Sequence, residues 1–97
     1  MLQKKFLKSK GEVEVTFAYD ANGAQTVELV CDANGWQPVT MKKSKGAFQT
    51  KVRLPQDGRY QFRYRVDENK WVNDEAADAY APNEHGSTNS VVETFVA

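Results

Sequence analysis

The sequence predicts an all-β fold, a small antiparallel β-sandwich, from three observations. Apolar residues alternate with polar ones along most of the chain, which is the period of a strand with one buried face. Short clusters of Asp, Asn and Gly separate these runs, as turns separate strands. No stretch of useful length has a helical period. Several short strands at regular spacing within 97 residues are typical of a sandwich of immunoglobulin-like size.

Five alternating runs are the predicted main strands. In chain order they cover residues 13–19, 27–31, 48–54, 60–66 and 90–95, and shorter strands are predicted at 4–8, 39–43 and 70–72. The clearest run is the fourth, in which successive side chains must point to opposite faces. The residues predicted to face the core are Tyr60, Phe62, Tyr64 and Val66, and those predicted to face outward are Gln61, Arg63 and Arg65.

Turn signals account for most of the connections. The tetrapeptide Asp-Ala-Asn-Gly occurs at 20–23 and again at 32–35, which indicates shared turn chemistry because the flanking residues differ. The connection 73–89 has no period and is predicted to be one long ordered loop, since Tyr80 and Pro82 give it residues that can pack. Loops of this length in a compact domain are often functional.

Charge and composition exclude several kinds of partner. Thirteen basic and thirteen acidic residues balance, which favours neither nucleic acid nor an anionic membrane. In 59–65 the basic and aromatic residues alternate, so they belong to opposite faces and cannot stack on bases together. The single cysteine, Cys31, has no partner for an intramolecular disulfide and is predicted to be a small buried apolar residue.

The sequence also predicts the domain organisation and the cellular location of the protein. Residues 1–11 are expected to form a basic segment or edge strand, and 12–97 a single domain. The lysines near the start are not followed by an apolar run, and no segment has transmembrane length. We therefore expect no secretory signal and a cytoplasmic location.

The inventory of reactive residues does not favour an enzyme. His85 is the only histidine, so neither a nucleophilic triad nor a zinc site can be assembled from the sequence. The spacing of Asp74, Glu75 and Asp78 matches no calcium loop. We expect no catalytic residues, no metal and no cofactor.

The two tryptophans carry the functional prediction. Trp36 and Trp71 each follow a polar turn, which is an unusual setting for a core tryptophan. One interpretation is that each closes an end of the sandwich. The other is a shared aromatic platform for the apolar face of a sugar ring, with nearby Ser87 and Asn89 available to its hydroxyls.

The order of several motifs resembles a known family. The motifs are the apolar run 27–30, Asn34–Gly35–Trp36, the alternating run 60–67, the segment 71–74 and the segment 86–92. Together they resemble the early-set domain at the N-terminus of isoamylases and branching enzymes, the family 48 carbohydrate-binding modules. That family includes the glycogen-binding domain of the AMP-activated kinase β subunit. The resemblance extends from about residue 12 over the rest of the chain and is closest to stand-alone bacterial isoamylase-N-terminal-like proteins.

The resemblance implies a fold, a ligand and a set of contacts. It implies an early-set, immunoglobulin-like sandwich that binds glycogen, starch or maltooligosaccharide chains of α-1,4-linked glucose without catalysis. Trp36 and Trp71 would stack on the sugar, and Arg63 would hydrogen-bond its hydroxyls. Ser87 and Asn89 resemble the polar pair before the last strand.

The chain departs from the family at two positions. His85 stands where the kinase-type domain has an apolar residue that inserts into the sugar ring. Ala33 replaces an aromatic residue in the loop before the first tryptophan. An alternative of a different class stays open: a protein-interaction or regulatory module that docks to a glucan-metabolising enzyme or to itself. A shared exposed face for the tryptophans favours sugar binding, and buried or scattered tryptophans favour docking.

Overall fold

The computed structural model describes residues 2–20, 23–84 and 86–95 and has two antiparallel sheets packed as a sandwich. His85 lies outside the described residues. The strands are β1 (Leu2–Leu7), β2 (Glu12–Tyr19), β3 (Val27–Cys31), β4 (Val39–Thr40), β5 (Lys42–Ser44), β6 (Ala47–Pro55), β7 (Arg59–Val66), β8 (Lys70–Val72), β9 (Ala79–Pro82) and β10 (Thr88–Glu93). Short 3-10 turns follow β1 at Lys8–Lys10 and β3 at Asp32–Asn34. The predicted immunoglobulin-like β-sandwich is confirmed.

Strand β7 is the centre of the larger sheet. The smaller sheet has the order β1-β2-β6-β5, and the larger has the order β4-β3-β7-β10-β9. The short strand β8 also pairs with β7, along residues 64–66, whereas β10 pairs with residues 59–62. Strands β10 and β8 therefore share one edge of β7, and β3 occupies the other.

The core between the sheets follows from the alternation of the strands. Phe62 and Tyr64 of β7 have no exposed surface, while the alternate residues Arg63 and Arg65 are half-buried on the opposite face. Phe62 meets Phe17 of the smaller sheet edge to face, with ring centroids 5.0 Å apart. Each large apolar side chain buried in this way stabilises the fold by about 1.5–3 kcal/mol. The predicted orientation of β7 is confirmed.

The predicted short strand at 39–43 is divided between the two sheets. Strand β4 pairs with β3 in the larger sheet, and β5 pairs with β6 in the smaller one. Met41 lies between them, buried in the core, and its N–H donates to the Val27 carbonyl at 2.9 Å. The chain thus changes sheets at a single buried residue. Cys31 is also buried in this core, as predicted.

The prediction of one long loop over 73–89 was wrong. Residues Ala79–Pro82 form β9, which pairs with β10, and β10 begins at Thr88 instead of residue 90. Tyr80 is the only large apolar residue of β9, so the alternation was too weak to identify. Pro82 is tolerated because β9 is an edge strand, where a missing N–H breaks no ladder bond.

A buried polar cluster closes one part of the core, and we call it the Asp74 corner (Tyr64, Asn73, Asp74 and Ser90). The Asp74 carboxylate accepts the Tyr64 hydroxyl at 2.7 Å and the Ala76 N–H at 2.8 Å, and the Asp74 N–H donates to Ser90 Oγ at 2.9 Å. Asn73 Oδ1 accepts both the N–H and the hydroxyl of Ser90 at 2.9 Å. Burial and the bond to Asp74 raise the pKa of Tyr64 above its ordinary range. The corner is a satisfied network, as buried polar groups require.

Strand β1 is an edge strand of the smaller sheet, and one inward lysine protects it. Lys4 lies opposite Val15 on the core side of the pair. Its Nζ forms an ion pair with Asp78 Oδ2 at 2.5 Å. An inward-pointing charge on an edge strand disfavours pairing with another chain.

Candidate functional site

The outer face of the larger sheet brings together residues from three strands. In the pairing of β3 with β7, Val30 lies opposite Arg63 and Glu28 lies opposite Arg65. In the pairing of β7 with β8, Trp71 lies opposite Arg65. Directly opposed residues of an antiparallel pair project to the same face. These five side chains therefore share one surface outside the core.

Trp36 is held by the tight loop that follows β3. Gly35 and Trp36 both have a left-handed backbone, with φ of 72° and 67°. Glycine adopts this conformation freely, whereas a tryptophan there costs about 1–2 kcal/mol. The Trp36 N–H donates to the Cys31 carbonyl at 2.9 Å. The Asn34 side chain donates to the Gln37 carbonyl at 3.1 Å and accepts the Gln37 N–H at 3.2 Å. These bonds hold the loop with the Trp36 side chain outside the core.

Trp71 lies on β8, which begins directly after the polar turn that the sequence predicted. Asp67 and Glu68 of this turn have φ of 49° and 66°, and two successive positive φ values are typical of the central residues of a type I′ turn. The Asp67 carboxylate accepts the N–H groups of Thr26 at 3.0 Å and Gln25 at 2.8 Å. These two bonds hold the pKa of Asp67 below its usual value. The turn is thereby fixed to the segment before β3.

The two tryptophans line one open groove with a volume of about 550 Å³. Trp36 is 42% exposed and Trp71 is 46% exposed, so neither is a core residue. The residues around the groove are Val30, Trp36, Arg63, Trp71, Asn83, Glu84 and Asn89. Four of the six predicted site residues thus lie together. Ser87 does not line this groove, and His85 is outside the described residues.

Arg63 and Arg65 of β7 differ in how their donors are used. Their Cζ atoms lie 5.9 Å (Arg63) and 5.8 Å (Arg65) from the centroid of the Trp71 ring, within cation–π range. Arg65 donates from Nε and Nη2 to Glu28 Oε1, at 2.8 and 2.6 Å. Arg63 Nε is buried and has no hydrogen-bond partner among the described residues. A buried donor without an acceptor costs about 1–3 kcal/mol.

Asn89 and Ser87 are tied into the turn between β9 and β10. Asn89 is 8% exposed, and its amide donates to Gln61 Oε1 at 2.9 Å and accepts from Asn83 Nδ2 at 3.2 Å. Ser87 is exposed, with its N–H donating to Asn83 Oδ1 at 3.1 Å and its carbonyl accepting the Asn83 N–H at 2.9 Å. Asn83 therefore bonds both Asn89, which lines the groove, and Ser87, which lies in the turn beside it.

Sequence reasoning missed three groove residues, Val30, Asn83 and Glu84. Val30 had a usable signal, because it is an apolar residue at an outward position of the run Val27–Cys31. It is 4% exposed yet lies outside the core cluster, in the floor of the groove. Asn83 and Glu84 belong to the segment predicted as a long loop, so nothing in the pattern placed them beside β7. Ala33 lies exposed in the turn before Trp36.

Within the described ranges, no group of three or more His, Cys, Asp and Glu side chains has the geometry to hold a metal ion. Burial raises the pKa of the Cys31 thiol to about 11, so the thiol is neutral at physiological pH. Among the described residues, no helix has both the length and the apolar character required to span a membrane.

The chain is similar to proteins of known type in sequence and in fold. Residues 13–96 match the family described as the glycogen recognition site of AMP-activated protein kinase. No curated protein sequence matches the chain.

Solved structures of the same fold include the enterobactin esterase FES from Shigella flexneri, at 14% identity, and the ferric enterobactin esterase from Salmonella typhimurium, at 12%. Both have a TM-score of 0.76 and cover 96% of this chain. The chain spans only a third of each, 32% and 34% of their lengths, and at these identities the likeness shows the fold alone.

Proposed function

The chain belongs to the family of glycogen recognition sites of AMP-activated protein kinase, and from this we propose that its groove binds chains of α-1,4-linked glucose without catalysis. The ligand would be glycogen, starch or a maltooligosaccharide. The observation that carries the proposal is that Trp36 and Trp71, which are held by separate elements, line one open groove together with Arg63. Packing of the core fixes the strand on which Arg63 lies.

The groove suits a sugar chain in shape and chemistry. Its volume lies within the range of about 300–1,000 Å³ that is common for ligand sites. Each indole offers a flat apolar surface to the C–H face of a glucose ring. The Arg63 guanidinium lines the groove and can donate to a hydroxyl oxygen, and the Glu84 carboxylate can accept a hydrogen bond from a hydroxyl group.

The remaining predicted contacts have different strengths of support. Asn89 uses part of its amide within the protein, so it would add at most a further hydrogen bond to the sugar. Ser87 lies on the turn beside the groove and would assist only a longer chain. His85 stays a predicted contact. Because the groove is open and shallow, we expect weak affinity, since most of the stacking energy offsets the entropy lost on association.

The test is the substitution Trp71→Ala. Loss of one stacked ring should weaken binding of maltoheptaose by about 5- to 150-fold, by analogy with the 1–3 kcal/mol of a stacked base. Because Trp71 is exposed, stability should change little. The measurements are retardation in gels that contain glycogen, a fluorescence titration with maltoheptaose, and thermal melting by circular dichroism.

Phe95→Ala is the matched control. Phe95 is 49% exposed, close to the exposure of Trp71, and does not line the groove. This variant should bind glycogen like the wild type. A folded Trp71→Ala protein that is still retarded by glycogen would exclude the proposed platform. If the wild type binds no glucan, the docking module becomes the better proposal, with an enzyme or a second copy of the chain as partner.

A further inference from the structure

On the outer face, a row of directly opposed side chains crosses three strands and ends at Trp71. Glu28 of β3, Arg65 of β7 and Trp71 of β8 are directly opposed in the register of three neighbouring strands. The Glu28 carboxylate fixes the Arg65 guanidinium through two donors, at 2.8 and 2.6 Å. That guanidinium then lies 5.8 Å from the centre of the Trp71 ring.

We propose that Arg65, fixed by Glu28, is a positioning residue that holds the Trp71 ring in a single orientation at the groove. Its effect on sugar affinity rests on the proposed function, whereas its effect on the ring does not. Arg65 itself does not line the groove, so it would act through Trp71 and not by touching the ligand.

The need for such a support follows from where Trp71 lies. Strand β8 covers only Lys70–Val72, and among the strands that the structure describes it pairs with β7 alone. Trp36, by contrast, is fixed through a loop whose backbone and Asn34 side chain are hydrogen-bonded. An exposed ring without backing would have to be ordered when the ligand binds, which weakens association. A guanidinium fixed beside the indole would remove that requirement.

Arginine is suited to this task in a way that lysine is not. Its planar guanidinium can stack on an aromatic ring while its N–H groups bond a carboxylate, whereas an ammonium is a point charge. The ion-paired side chains of Arg65 and Glu28 are 28% and 20% exposed, so solvent screens the pair only in part. We therefore expect Arg65→Lys to restore only part of what Arg65→Gln removes.

The first test needs no sugar. The chain has two tryptophans, so a Trp36→Phe background makes Trp71 the only source of indole fluorescence. In that background, Arg65→Gln and Glu28→Gln should each raise the acrylamide quenching constant of Trp71 by about twofold and speed its anisotropy decay, because the ring loses the fixed one of its two cation–π contacts and keeps only that of Arg63. Arg65→Lys should give an intermediate value. Arg53→Gln is the control, since Arg53 lies on the smaller sheet in a loose ion pair of 3.9 Å with Glu12.

The second test measures affinity with both tryptophans present. Arg65→Gln and Glu28→Gln should each raise the Kd for maltoheptaose by about threefold to tenfold, in keeping with loss of one partly exposed cation–π contact. The double variant should be no weaker than Arg65→Gln alone, because the two residues act as a unit. Arg53→Gln should leave the Kd unchanged.

The outcomes separate the two proposals. If the wild type does not bind maltoheptaose, the proposed function fails, and the quenching measurements alone decide the role of Arg65. Unchanged quenching and anisotropy in folded Arg65→Gln overturn the positioning role. Changed quenching with unchanged affinity, in a wild type that binds, overturns the effect of ring position on affinity. If Arg65→Gln does not fold, Glu28→Gln decides in its place, because it preserves the shape of the side chain.

Discussion

The two faces of strand β7 use polar groups in opposite ways. On the inner face, Tyr64 is fully buried, and its hydroxyl donates to the Asp74 carboxylate in the Asp74 corner. On the outer face, Arg63 Nε is buried but has no partner among the described residues. The two residues are adjacent in sequence. One polar group is satisfied within the fold, and the other has no partner among the described residues.

This difference separates stability from binding within a single strand. Inner-face substitutions should lower the free energy of unfolding, because they leave buried groups unsatisfied or cavities unfilled. Outer-face substitutions should change ligand affinity and leave the fold largely intact, because exposed rings contribute mainly to the complex. Trp71→Ala and Arg65→Gln are outer-face substitutions of this kind.

The largest expected effect is that of Asp74→Ala. The carboxylate is 1% exposed and accepts hydrogen bonds from Tyr64 and from the Ala76 N–H. Its removal leaves the buried Tyr64 hydroxyl without this acceptor, which should lower the free energy of unfolding by about 3 kcal/mol. Urea denaturation followed by circular dichroism measures the loss.

Glu75→Ala is the matched control for Asp74→Ala. It removes the neighbouring carboxylate, which is exposed, and should change the free energy of unfolding by less than about 0.5 kcal/mol. An Asp74→Ala protein as stable as Glu75→Ala would contradict the assignment of the corner to stability. So would selective loss of glucan binding without loss of stability.

The sequence was sufficient for the inner face but only partly for the outer one. The alternation of Phe62 and Tyr64 with Arg63 and Arg65 fixes which side chains are buried, because a slip of one residue would invert them all. The same alternation cannot tell which strands are neighbours. The contact of Val30 with the groove therefore required the register of β3 against β7.

The rest of the site depends on pairings that leave a weak pattern. Strand β9 has a single large apolar residue, Tyr80, so the turn that carries Asn83 and Glu84 could not be placed beside β10 from sequence. The change of sheet at Met41 also leaves no signal in the alternation. Trp36 and Trp71 were identified because their polar flanks are unusual for tryptophan, which is a local property.

The next effect in size concerns the inner face at high pH, and it centres on Cys31. Cys31 lies opposite Phe62, and burial raises its pKa from 9.0 to about 11. A raised folded pKa gives stability that is complete below the unfolded pKa and is lost as pH rises through the folded value. Between pH 9 and 11 the thiol should therefore account for a loss of roughly 2–3 kcal/mol in the free energy of unfolding.

Cys31→Ala isolates this contribution from other groups that titrate in the same range. The variant will have a lower stability at pH 8, because it lacks the buried sulfur, but its stability should fall less steeply from pH 9 to 11. The quantity to compare is the difference between the two proteins in urea unfolding at each pH. A difference that is constant across this range would mean that the thiol ionises in the folded protein as readily as in the unfolded one.

The smallest expected effect lies at the end of β7, in the turn that belongs to neither face. The Asp67 carboxylate accepts the N–H groups of Thr26 and Gln25, and these bonds hold its pKa below the usual 3.8. A lowered folded pKa gives stability that is present above the unfolded pKa and is lost as pH falls through the folded value. The Tm of the wild type should therefore fall slightly below about pH 4 as Asp67 is protonated, and the Tm of Asp67→Asn should not show this part of the fall.

Asparagine is the right replacement, because it tolerates the left-handed backbone at φ of 49°. Asp57→Asn is the control, since Asp57 also has a left-handed backbone, at φ of 62°, in a different turn. The measurement is the Tm of the three proteins between pH 6 and 2.5 at fixed ionic strength. The Tm advantage of the wild type over Asp67→Asn should shrink as the solution is acidified, because protonation removes the charge that the two N–H groups favour. An advantage that stays constant with pH would mean that the turn is fixed by its backbone alone.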